Sequence, residues 1–166
     1  MKLKTPRTLF LTVCFLILGI TTLSQAASSV LYGATETQDS KGIQVTAEVT
    51  AHTNGTVDDT FLSDSSNKTL PFFRGYRLST VRVFFGSPAP LENSDLELVD
   101  SYNGVDVLGG AGLNTIDAAS NNSFLPLIGV TPYEVPVYGP LKLHVTGNNV
   151  NGAKFRIVFS FVPMCP

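Results

Sequence analysis

Tryptophan is missing from this chain, and cysteine and histidine occur twice each. Each shortage narrows the chemistry. His52 and His144 have no partner at the ligand spacing of a zinc or copper site, so no transition-metal centre is expected. No nucleophile-elbow sequence is present, so a serine hydrolase has no local signature. Cys14 lies in the leading apolar run and Cys165 stands next to the last residue, which leaves no intrachain disulfide once the leader is removed. The domain must then be stable through its apolar core, which about 140 residues can supply. Helical periodicity is also lacking: Ile116 to Ser120 would make one turn at most.

What is present begins with an export signal. Lys2, Lys4 and Arg7 precede an apolar run over residues 9–20, and Ser24-Gln25-Ala26 closes on the small residues that signal peptidase accepts. The run of about 12 residues falls short of the roughly 20 that span a membrane. Cleavage after Ala26 would divide the chain into a signal peptide (1–26), a flexible N-terminal segment or loosely added strand (27–40) and one domain (41–166). The product is expected to be secreted or periplasmic, with no membrane span. The leader holds three of the eleven basic residues and none of the thirteen acidic ones, so the remainder carries five surplus negative charges. That balance speaks against nucleic acid, which needs a clustered basic face. Arg77 and Arg82, the nearest thing to a patch, fall on opposite faces of an unbroken strand.

Alternation with a period of two dominates the rest. Ile43, Val45, Ala47 and Val49 alternate with polar residues, as do Leu141, Leu143 and Val145, and then Phe155, Ile157, Phe159 and Phe161. The last two runs flank a stretch rich in Gly and Asn, which predicts a hairpin whose apolar faces meet one core. Asn103-Gly104 suits a type I′ turn between strands around Leu96–Leu98 and Val105–Val107. Residues 78–85 read as a central strand, and residues 130–138, interrupted by Pro132 and Pro136, as an irregular edge. Many short strands between Gly, Pro, Asn and Ser clusters point to an all-β, two-sheet antiparallel sandwich of jelly-roll or immunoglobulin-like type. Two long polar loops, 53–70 and 109–125, are the places to look for function.

Three tyrosines near loops, Tyr102, Tyr133 and Tyr138, are candidate ligand-binding residues, since an exposed ring offers both an apolar face and a hydroxyl. A second candidate lies in GGAGLNTID, residues 109–117, preceded by Gly104-Val105-Asp106. This stretch resembles one unit of the calcium-binding nonapeptide repeat of the RTX β-roll, with Asn114 where that family has Asp and a spacing of eight rather than nine. The resemblance implies calcium as the cofactor, with Asp106, Asn114 and Asp117 as metal ligands, and Asp100, an acidic residue flanking the hairpin, is a further candidate ligand. A third candidate is a carboxylate pair for glycoside cleavage, Glu48 with Glu97. The chain reads best as a non-enzymatic, exported surface module, either binding or structural. Its partner would be a protein or glycan, with self-association through an edge strand or Cys165. A calcium-binding module and a glycan-active enzyme are the alternatives.

Overall fold

A computed structural model describes residues 27–36, 42–62 and 75–164. The expected signal peptide with its cleavage point at Ala26, part of the first long loop, and Cys165 lie outside the described residues. The strands run in chain order as β1 (Ser29–Glu36), β2 (Ile43–Thr50), β3 (Thr60–Phe61), β4 (Tyr76–Phe85), β5 (Asp95–Asp100) and β6 (Val105–Asp106). They continue as β7 (Asn122–Phe124), β8 (Leu127–Ile128), β9 (Thr131–Pro132), β10 (Val135–Pro136), β11 (Leu141–Thr146) and β12 (Lys154–Pro163). All pairings are antiparallel. Sheet A is ordered β1-β2-β12-β4-β10, with β7 also on β4, and sheet B is ordered β3-β11-β5-β6. Among the described residues no helix is long and apolar enough to cross a membrane.

The period-two pattern buries what it should. Val45, Ala47 and Val49 from β2 join Phe155, Ile157, Phe159 and Phe161 from β12 in one hydrophobic cluster. Leu96, Leu98, Leu141 and Leu143 of sheet B belong to the same cluster, so both sheets bury one face in a shared interior. Each such side chain contributes roughly 1.5–3 kcal/mol by leaving water.

Four features differ from the sequence-based expectations. First, β11 and β12 are not a hairpin: β11 pairs with β5 and β3, and β12 with β2 and β4. The link between them crosses from one sheet to the other. Asn148 fastens it by accepting from Leu91 N–H at 2.9 Å and donating to the Gly55 carbonyl. Gly55 is required there, since a Cβ at that position would lie 2.2 Å from Asn149 backbone. Second, the register shifts by one between Ser160 and Phe161, where Ser79 is the extra residue on β4. The bulge turns Leu78, Val81 and Val83 all inward, so Arg77 and Arg82 share the outward side instead of opposing faces. Arg77 is paired with Glu134 at 3.2 Å.

Third, Asn103-Gly104 is not a type I′ turn. Residues 101–104 form a four-residue loop in which Gly104 has φ +70° while Asn103 is absent from the positive-φ positions. Asn103 instead accepts from Val105 N–H at 3.0 Å, an Asx-type contact. Fourth, of the two readings of the N-terminal segment the flexible one gives way to the added strand over residues 29–36, fully paired with β2 in unbroken register from Ser29↔Thr50 to Glu36↔Ile43. Val30 and Tyr32 pack against the core cluster.

Tyr32 gives this strand a pH dependence. Its hydroxyl meets Thr60 Oγ1 at 2.5 Å, and burial pushes the phenol up to about 12 against a partial lowering by the Thr60 bond. A raised folded pKa means that the contribution is complete below the ordinary value of 10.0 and is lost as pH climbs towards 12. The protein should therefore lose urea resistance between those values relative to Tyr32→Phe, which has nothing to ionise at this position. Parallel curves for the two proteins would refute it.

Candidate functional site

Strand edges are where a β protein meets other chains, because unpaired N–H and C=O groups line them. Most edges here are short or covered. β10 is two residues long and contains Pro136, while β3 and β6 are also two residues each. Beyond β6, the 109–117 loop lies along β5: Leu96 N–H donates to the Gly112 carbonyl at 2.9 Å, and Ser94 bridges Ile116. β1 is different. It runs eight residues, contains no proline, lysine or arginine, and pairs on one side only among the described residues. Leu31, at its middle, is 67% exposed.

The start of β1 is fastened by a polar cluster. Ser28 N–H donates to His52 Nδ1 at 3.0 Å, and the Ser28 hydroxyl donates to Asp58 Oδ2 at 2.8 Å. His52 Nε2 meets the same carboxylate oxygen at 2.8 Å. The Ser28 hydroxyl and then His52 hold the Asp58 carboxyl below its usual range. A parallel arrangement joins Asp59 to sheet B, where it meets His144 and takes the Lys142 ammonium at 2.6 Å. Burial works to raise Asp59, yet the hydrogen bonds from His144 and Lys142 outweigh it and the carboxyl is lowered. Both acids are held ionised, the reverse of what a general acid needs.

The tyrosines divide two and one. Asp100, only 1% exposed, accepts three backbone N–H bonds: from Tyr102 at 2.9 Å, Tyr138 at 3.2 Å and Gly139 at 3.0 Å. The Tyr102 ring packs on Gly139, where a Cβ would come within 2.8 Å of it. Asp100 thus brings Tyr102 and Tyr138 to one end of the molecule, 77% and 59% exposed. Tyr133 is held by another element, its N–H donating to the Pro126 carbonyl across the β8–β9 ribbon at 2.9 Å.

The calcium candidates have separate employment. Asp100 serves the tyrosine end as described. Asp106 accepts from Leu98, Leu108 and Gly110 N–H groups, which shapes the glycine-rich loop. Asn114, at φ +54°, donates its N–H to Asp95 at 2.7 Å. Asp117 accepts from Ala119 N–H and the Ser120 hydroxyl, which lower its carboxyl. Among the described residues no group of three or more His, Cys, Asp or Glu side chains is placed to hold a metal. Glu48 and Glu97 lie on different sheets, each between buried neighbours on its strand, so both point away from the shared core. The structure does not bring them together.

The chain matches no protein-family model, and it has no significant match among curated proteins or solved structures. Function therefore rests on geometry. The edge strand stood in the sequence only as the alternative to a flexible segment, although Val30, Tyr32 and Ala34 alternate with Leu31 and Gly33.

Proposed function

We propose that this protein is an exported, non-enzymatic β-sandwich that serves as a structural, self-assembling module at a surface outside the cytoplasm. The open edge of β1 is its assembly surface, and a second copy of the chain is the partner. One observation carries this: among the described residues a long edge strand stands without the lysine, proline, bulge or covering loop that keeps natural edges monomeric. Antiparallel pairing of two β1 strands centred on Tyr32 would set Leu31 opposite Gly33 of the second copy and keep both cores on one side of a continuous sheet. The connections β2–β3, β4–β5, β10–β11 and β11–β12 all cross between the sheets, which favours the jelly-roll form of the sandwich.

Sedimentation of the mature protein should show concentration-dependent dimers or longer species. In that pairing Leu31→Lys places two cations diagonally across the new junction on one face, at an exposed position that leaves the core intact. It should weaken association by about tenfold or more, a change of roughly 1.4 kcal/mol. A wild-type protein that stays monomeric at millimolar concentration would end the proposal. A second reading, a binding module for a glycan or protein, has its own support in the exposed Tyr102–Tyr138 pair that Asp100 organises.

A further inference from the structure

We propose that a cleft on the outward side of sheet A binds an acidic saccharide, a sugar unit carrying a carboxylate. This goes beyond the assembly reading and stands on other residues. The register of β2, β12 and β4 lines up Glu48, Arg156 and Phe84 in one row and sets Thr50 beside Lys154 in the next. Phe155 between the two cations is buried, so Lys154 and Arg156 project to solvent. Beyond Phe85 the chain folds closely against β12. Gly86 N–H donates to the Lys154 carbonyl at 2.7 Å, and Lys154 N–H donates to the Pro88 carbonyl at 2.8 Å. A Cβ on Gly86 would lie 2.6 Å from the Lys154 carbonyl oxygen, so only glycine lets this segment come so near. The result is an open cleft of about 340 Å³, lined by Glu48, Thr50, Phe85, Ser87, Lys154 and Arg156. That volume falls within the ~300–1,000 Å³ of small-ligand sites.

The lining chemistry selects the ligand. Two cations and one anion meet here, in a chain whose exported part has five more acidic than basic residues. Lys154 has no carboxylate within ion-pair distance among the described residues. Arg156 lies 4.6 Å from the Phe84 ring centre and reaches Glu48 at only 4.0 Å, through one nitrogen. Most of its five N–H donors are thus left for another acceptor. A ligand carboxylate between Lys154 and Arg156 would restore the local balance. Glu48, Thr50 and Ser87 are suited to sugar hydroxyls, and the Phe84 ring beneath Arg156, on the same outward side, adds an apolar surface to the floor.

The test is a titration of the ¹⁵N-labelled mature protein with a short oligogalacturonate, followed by amide NMR. Amides of Thr50, Gly86, Lys154 and Arg156 should shift, while a neutral galactose oligomer and acetate should leave them in place. Lys154→Gln and Arg156→Gln should each weaken binding by about tenfold without moving the melting temperature, because both side chains are exposed. Silence at those four amides, an equal response to the neutral oligomer or to acetate, or shifts confined to Tyr102 and Tyr138 would each overturn the proposal.

Discussion

Phe159→Ala should destabilise the folded domain by about 3–5 kcal/mol, the usual loss when a large aromatic is deleted from a packed core. Phe159 is fully buried in β12, the strand that lies between β2 and β4 at the middle of sheet A. Its backbone pairs with Val45 on one side and Val81 on the other, and both of those side chains are buried as well. The cavity would therefore open where both neighbouring strands depend on the same contact. Domains of this size hold roughly 5–15 kcal/mol in total, so the variant should sit near the margin of folding. Urea unfolding followed by tyrosine fluorescence, which no tryptophan obscures, measures the loss directly. Phe159→Leu should fall between the two. A loss below about 1 kcal/mol for the alanine variant would mean that β12 is not the spine of the interior.

Which side of β2 and β12 faces inward was readable from the order of the residues alone, because a two-residue period leaves no other choice for Val45, Ala47 and Val49, or for Phe155 to Phe161. Which strand lies beside which was not. Alternation specifies a buried face and says nothing about the neighbour across a ladder, so β11 and β12 looked like partners when they serve opposite sheets. The bulge at Ser79 has no sequence signature either: a single extra serine in LSTVRVFF reverses the parity that placed Arg77 and Arg82 on different faces. The glycines of the 109–117 loop also have a packing role that no local pattern announces. They resemble a calcium turn, and Gly112 is needed in any case because a Cβ would meet the Leu96 carbonyl oxygen at 1.9 Å as the loop covers the β5 edge.

At the candidate sites the balance was similar. Exposed tyrosines beside turns could be picked out, but not which of them would be neighbours, since Tyr102 and Tyr138 come together through 35 intervening residues. The cleft at Lys154 and Arg156 depends on three strands meeting in one register, which no local pattern encodes. Asp100 was noticed for its charge and assigned to a metal. Its actual neighbours are backbone N–H groups from a segment far along the chain.

That role of Asp100 leads to a second large effect. Asp100→Ala removes the acceptor of three backbone N–H groups at once, and the Gly139 donor lies in a buried position. Hydrogen bonds to a charged acceptor contribute roughly 1.5–3 kcal/mol each, but the three share one carboxylate and will not add. A loss of about 3 kcal/mol is the expected result. Asp100→Asn keeps the shape and one carbonyl oxygen, so its loss should be smaller, with an amide NH₂ now turned towards N–H donors. Gly139→Ala should act in the same direction, since its Cβ would come 2.6 Å from Asp100 Oδ1 and 2.8 Å from the Tyr102 ring. All three substitutions should weaken the near-ultraviolet tyrosine circular dichroism and speed amide exchange at Gly139. Exchange at Ile157 and Phe159 in the β12 core should follow only the global loss of stability. If Asp100→Ala left the tyrosine signal unchanged, the buried carboxylate would not be what holds Tyr102 and Tyr138 in position, and the aromatic end would have to be explained by packing on Gly139 alone.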